Sequence, residues 1–167
     1  MEDMCQLTGR PTEYEYRSSY ERIGRAILRY SSVPKMDIIN FFEVVLFSWL
    51  TGNNDMHLKN FSLYEPKEGV IRLSPAYDLL NATIANPKDD EELALTLNGK
   101  KKKINRQDFY KFAESIGIGS TFVDKLIKKY ERLLPKLFAV VKESFVDTFL
   151  AEEYIEVILK RISKLNQ

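Results

Sequence analysis

Between Ile38 and Leu50, ten of thirteen residues are apolar, and at helical spacing they cover nearly every face. A helix of that kind has no side to turn toward water, so it belongs inside a core with other elements packed around it. Asn40, Glu43 and Ser48 interrupt the run, which also falls short of the roughly 20 residues of a membrane span. Asp37 is expected to open the helix and Gly52 to stop it, while Asn53, Asn54 and Asp55 favour a turn. The chain therefore sets its densest polar cluster, Gly52 to Phe61, directly after its most buried helix.

The flanking sequence supplies what packs around that helix. Ser18-Ser19-Tyr20-Glu21 has the form of a capping box, and a helix from about Ser19 to Tyr30 follows, with Ile23, Ile27 and Tyr30 at helical spacing. Phe61 to Tyr64 and Val70 to Leu73 flank Glu65-Pro66-Lys67-Glu68-Gly69 and read as a hairpin. A second small ribbon is expected where Leu93 to Leu97 turns through Asn98-Gly99 into Lys100 to Ile104. Asn105 caps a helix to Ile116 that Gly117 stops, and Ser120 or Thr121 starts another through Leu134, which Pro135 is expected to kink or divide. From Ser144 to Leu165, Phe145, Phe149, Tyr154, Ile155, Ile158, Leu159 and Ile162 form an apolar stripe. The fold class is mainly α (α+β), a helical domain over residues 1–167 with two small β-hairpins.

Composition narrows the function classes. Twenty-five basic against 24 acidic residues leave a net charge of +1, which gives the whole chain no pull toward nucleic acid or an anionic membrane. Cys5 is alone, so neither an internal disulfide nor a Cys-rich zinc cage is available. The start, MEDMCQLTGR, is acidic and polar, unlike a signal peptide, and a cytoplasmic location is expected. Lys100 to Lys103 read as a solvated hairpin arm, Asp89-Asp90-Glu91-Glu92 as a solvated loop, and Gly117-Ile118-Gly119 as a helix stop and restart.

The chemistry sits in the polar cluster. Asp55 and Asn60 stand five apart, the spacing that a protein-kinase catalytic loop uses for its base and its metal-binding amide. Such a loop lets the carboxylate face an incoming hydroxyl while the amide oxygen turns toward a phosphate-bound ion. Asp78 follows in Ser74-Pro75-Ala76-Tyr77-Asp78-Leu79-Leu80, and the hairpin brings it back beside Asn60 across 17 intervening residues. A carboxylate, an amide oxygen, phosphate oxygens and water make the octahedron that Mg²⁺ demands. His57 and Lys59 are the nearby groups able to meet the transferring phosphoryl group.

Asn54-Asp55-Met56-His57-Leu58-Lys59-Asn60-Phe61-Ser62 followed by Pro75-Ala76-Tyr77-Asp78-Leu79-Leu80 resembles the C-terminal kinase lobe of HipA-type toxins, serine/threonine kinases of bacterial toxin–antitoxin systems. Glu2 to Gln6 and Leu93 to Lys100 are similar to further segments of that family, so the likeness spans most of the chain. It implies that Asp55 is the catalytic base, that Asn60 and Asp78 bind Mg²⁺ and so ATP, and that His57 and Lys59 belong to the catalytic loop. It also implies a helix-turn-helix antitoxin of the HipB type as partner, DNA met only through that antitoxin, no membrane, and a protein substrate such as an aminoacyl-tRNA synthetase. Only 54 residues precede Asp55, with no Gly-rich loop and no V-A-I-K-like strand. The chain is therefore expected to be the C-terminal lobe without its N-terminal nucleotide-clamping half, as a fragment or the product of a split gene, and inactive by itself. Two other readings stand beside this one: a small-molecule phosphotransferase, and a non-catalytic lobe that binds a partner.

Overall fold

The computed structural model describes residues 1–86 and 88–166. In chain order the elements are β1 (Glu2–Asp3), α1 (Met4–Leu7), α2 (Tyr20–Tyr30), α3 (Pro34–Leu50), β2 (Ser62–Lys67), β3 (Val70–Leu73), α4 (Ala82–Ala85), α5 (Arg106–Ser115), α6 (Ser120–Glu143) and α7 (Thr148–Leu165). The chain is mainly α with one small antiparallel sheet, in the order β1-β2-β3.

The all-round apolar helix is the axis of the core. Phe41, Phe42, Leu46, Trp49 and Leu50 of α3 are wholly shielded from solvent. Phe42 stacks on Phe112 of α5 with centroids 5.4 Å apart, and Trp49 meets Phe109 edge-on at 5.2 Å. On another side α2 brings Ile23 and Ile27 inward, and Gly24 lets it approach α5: a Cβ there would lie 2.5 Å from Ile116. No helix among the described residues is long and apolar enough to cross a membrane.

Several boundaries differ from expectation for identifiable reasons. The helix N-cap of α2 is Ser19, not Ser18, and Glu21 turns away from a capping box to accept the Asn98 amide N–H at 2.7 Å. Pro34 rather than Asp37 opens α3, since the first helical position loses nothing by lacking an N–H. Pro135 neither divides nor ends α6; it is exposed, and the helix runs through it although proline has no N–H to offer the Glu131 carbonyl. The stripe on α7 is narrower than expected, with Ala151, Ile158, Ile162 and Leu165 inward while Phe145, Phe149 and Leu159 are exposed.

The second ribbon is reduced to its turn. Asn98 and Gly99 take positive φ (49° and 75°) between a single Leu97–Lys100 bridge. The preceding residues cannot alternate as a surface strand, because Leu93, Ala94, Leu95 and Leu97 are all buried. Of the lysines that follow, Lys100, Lys102 and Lys103 are exposed as expected, and three carry ion pairs: Lys100 with Asp108, Lys101 with Glu91 and Lys102 with Asp90. The Lys103 N–H donates to Glu92.

One buried and one partly buried carboxylate tie the helices to the rest. Asp37, 0% exposed, accepts from the Ser31 hydroxyl (2.6 Å), the Leu73 N–H (2.8 Å) and Arg72 (3.1 Å), joining α3 to β3. Glu92 accepts from the indole N–H of Trp49 and from Lys164 of α7, each at 2.9 Å. Burial alone would raise Glu92, but these donors outweigh it and hold the carboxyl below its ordinary range.

Asp37→Ala should lower the unfolding free energy by about 3 kcal/mol, because it strands a buried N–H and a guanidinium; the urea midpoint measures it. For Glu92 the folded value lies below the unfolded one, so its stabilisation is complete above about pH 4.3 and is lost as the pH falls through the folded value. Wild type should therefore lose more stability than Glu92→Gln on acidification below that point, in parallel urea titrations.

Candidate functional site

The site begins where α3 ends. The N–H of Gly52 bonds the Trp49 carbonyl (3.3 Å) and that of Asn53 bonds the Ser48 carbonyl (2.8 Å), the paired closure of a Schellman motif. Gly52 has φ +82°, and a Cβ there would lie 2.9 Å from the Asn81 side chain. The Gly52 carbonyl accepts from both the N–H (3.0 Å) and the hydroxyl (2.8 Å) of Thr83, which ties α4 to the turn.

Beyond the turn, buried and outward residues alternate. Met56 and Leu58 sit in the core, and the buried hydroxyl of Tyr20 donates to the Met56 carbonyl at 3.0 Å. These anchors leave Asp55, His57 and Lys59 at least partly open to solvent. A short 3-10 turn, Leu58–Asn60, then leads into β2.

The hairpin joins Asn60 to Asp78. The amide N–H of Asn60 donates to Asp78 Oδ2, while Asn60 Oδ1 accepts the His57 N–H at 3.2 Å, which fixes which way the amide faces. Asp78 holds a left-handed backbone, φ 55°. Its Oδ1 has no protein partner among the described residues, and Asn60 Oδ1 keeps one lone pair free. Both are hard oxygens of the kind that Mg²⁺ takes and would leave most coordination positions to phosphate and water, although in the arrangement seen the Asn60 amide N–H, and not its oxygen, faces Asp78.

Asp55 lies on the same loop. Its N–H donates to Asn53 Oδ1 (3.2 Å), and the Asn53 amide donates in turn to the Asp78 carbonyl (3.0 Å). Asn53, 1% exposed, therefore braces the two motifs against each other. Asp55 Oδ1 accepts from the Tyr16 hydroxyl at 2.7 Å. Burial, the bond to Asp55 and the charges of Asp55, Glu15 and Asp78 hold that phenol above its ordinary range, so it remains a donor.

His57 and Lys59 make contacts within the loop and to the segment before α2. His57 Nδ1 accepts the Lys59 N–H at 3.3 Å, capping the 3-10 turn, and its ring meets Tyr16 edge-on at 4.7 Å. Lys59 Nζ lies 3.9 Å from Glu15. The His57 ring thus meets Lys59 and Tyr16, the Lys59 ammonium faces Glu15, and only the backbone N–H of His57 reaches Asn60.

Three contributors were not singled out by the sequence. Tyr77 carries a hydroxyl 2.6 Å from that of Ser62 and donates to the Lys59 carbonyl at 2.7 Å, holding the two motifs together from below. It stands next to Asp78, so its position was a usable signal. Asn53 looked like any turn residue, and Tyr16 lies 39 residues from the carboxylate it bonds.

Asn53→Ala should leave the Asp55 N–H and the Asp78 carbonyl unpaired and lower stability by about 2 kcal/mol. Thermal unfolding beside Asn54→Ala, whose amide bonds Asp89 and the Glu91 carbonyl instead, separates loss of the brace from loss of any loop amide.

With this geometry in place, known proteins supply context. The sequence profile of the family described as HipA-like C-terminal domain matches residues 1–138. A putative kinase of Haemophilus influenzae is 26% identical over 164 residues, a match covering 87% of this chain and 46% of that protein. Among solved structures, HipA of Shewanella oneidensis, determined with HipB and its operator DNA, superposes with a TM-score of 0.80 at 19% identity, covering 98% of this chain and 43% of that one. The proinflammatory kinase CtkA of Helicobacter pylori gives 0.59 at 17%, covering 98% and 64%. The chain thus spans less than half the length of the H. influenzae relative, and the two structures share its fold.

Proposed function

The chain belongs to the family of HipA-like C-terminal domains, and on that premise we propose that it is the catalytic lobe of a serine/threonine kinase of a toxin–antitoxin system. The observation that carries this reading is the meeting of Asn60 and Asp78, 18 positions apart, beside a loop that also presents Asp55. A structural turn needs none of these groups to converge. Kinase chemistry needs all three, one to orient the acceptor and two to hold the metal.

In this reading Asp55 binds the serine or threonine hydroxyl of the acceptor and takes its proton as the oxygen attacks. Asn60 and Asp78 offer oxygens to Mg²⁺, and the ion, when bound with ATP, neutralises charge on the γ-phosphate. Asn53 keeps Asp55 at a fixed distance from that pair, which serves the positioning on which phosphoryl transfer depends. His57 and Lys59 act here by shaping the loop. Contacts to adenine and the remaining phosphates fall to the part of the longer relatives that this chain does not span. An antitoxin of the HipB type is the proposed partner, by likeness to the Shewanella protein.

The test is transfer from radiolabelled ATP by this chain alone, by its mixture with an N-terminal kinase half, and by the same mixture carrying Asp55→Asn or Asp78→Asn. Asparagine is the right replacement at 78, because it tolerates the left-handed backbone there. Transfer should appear only in the wild-type mixture and fall at least about a hundredfold in each variant. Transfer that survives Asp55→Asn would overturn the assignment of the base.

A further inference from the structure

Residues 11–17 form an exposed strap between Gly9, at φ 63°, and the start of α2. Thr12–Tyr14 is a 3-10 turn, and the strap buries none of its side chains. Among the described residues, every hydrogen bond and ion pair that leaves the strap ends on residues 55–59. The Glu15 carbonyl accepts the Leu58 N–H at 3.3 Å, and the Glu15 carboxylate faces Lys59. Tyr16 donates to Asp55 and sets its ring against His57. Among the described residues, the polar contacts that leave the segment thus all go to that loop.

The Tyr16 contact has a particular chemistry. A base that accepts a proton from an alcohol first receives a hydrogen bond from it, with heavy atoms about 2.6–3.2 Å apart. The Tyr16 hydroxyl satisfies that requirement at 2.7 Å, in the donating sense. We propose that Tyr16 occupies the acceptor position of this site, so that an incoming serine or threonine hydroxyl must displace it from Asp55. This rests on the kinase reading given above.

The strap is suited to such displacement. It is held by one hydrogen bond to a charged group, one backbone bond and one long, half-exposed ion pair, and segments with so few buried contacts open locally at little cost. The left-handed glycine at one end supplies a pivot. While the strap is closed, Asp55 is kept paired and a water molecule is denied the place from which it would be activated. Tyr16 would thus favour acceptors able to offer a hydroxyl together with enough binding surface to lift the strap.

The test compares wild type, Tyr16→Phe, Tyr16→Ala and the strap control Tyr14→Phe, with dephosphorylated casein as the acceptor probe. Fluorescence anisotropy on the chain itself should show casein binding about tenfold tighter for Tyr16→Phe, the scale of one competing hydrogen bond to a carboxylate. Tyr16→Ala should bind at least as tightly, and Tyr14→Phe should match wild type. In the mixture with an N-terminal half, Tyr16→Phe should lower KM for casein by the same factor while kcat stays within about twofold. Unchanged or weaker casein binding would overturn the proposal. So would a fall in kcat at constant KM, which would make Tyr16 a residue that positions Asp55. Inactivity of every mixture would sink the kinase reading separately, and the binding comparison would still decide the role of Tyr16.

Discussion

The site depends on a buried helix that stops within one residue. Helix ends leave carbonyls without intrahelical partners, and inside a core those groups must be met by protein. At the end of α3 three of them are: the Phe47 carbonyl by Thr51, that of Ser48 by Asn53, and that of Trp49 by Gly52 and Arg161. Gly52 takes a left-handed conformation, with the Asn81 side chain where a Cβ would be, and this turn sets the direction in which the chain leaves the core. The orientation of Asn53, and through it of Asp55 and Asp78, follows from that exit.

Two kinds of contact then divide the site. Asn53, Tyr77 and the Asn60–Asp78 pair are braced from the core side by buried or half-buried partners, and none can move without stranding a polar group. The Glu15–Tyr16 contacts lie on the solvent side and involve exposed groups. A firmly braced floor thus lies beneath a cover fastened by few contacts.

How much of this the sequence revealed can be judged residue by residue. The burial of α3 was legible because its apolar residues cover nearly every face, and the hairpin was legible because two β-prone runs flank a Pro- and Gly-bearing stretch, of which the structure draws Glu65 to Lys67 into β2 and leaves Glu68-Gly69 as the turn. The proximity of Asn60 and Asp78 followed from that hairpin. What stayed hidden depends on tertiary partners. Pro135 reads as a helix breaker unless it is known to lie on the exposed side of a helix that runs through it, and Leu93 to Leu97 reads as a ribbon unless the core is known to absorb it. Lys100 to Lys103 read correctly as a largely exposed stretch, but their pairing with Asp90, Glu91 and Asp108 has no local signature. Tyr16 has no local signature at all, because nothing in its own neighbourhood shows that it will lie over Asp55.

The single tryptophan acquires a spectroscopic meaning from its position. Trp49 is fully shielded, lies three residues before the helix stop, donates its indole N–H to Glu92 and has the Arg161 guanidinium 5.6 Å from its ring. An indole so placed emits in a dry environment between fixed charges of opposite sign, and a shift of either charge changes the field across the ring. Its emission colour therefore reads the end of α3, so that loosening of the loop that follows becomes visible by fluorescence without a label.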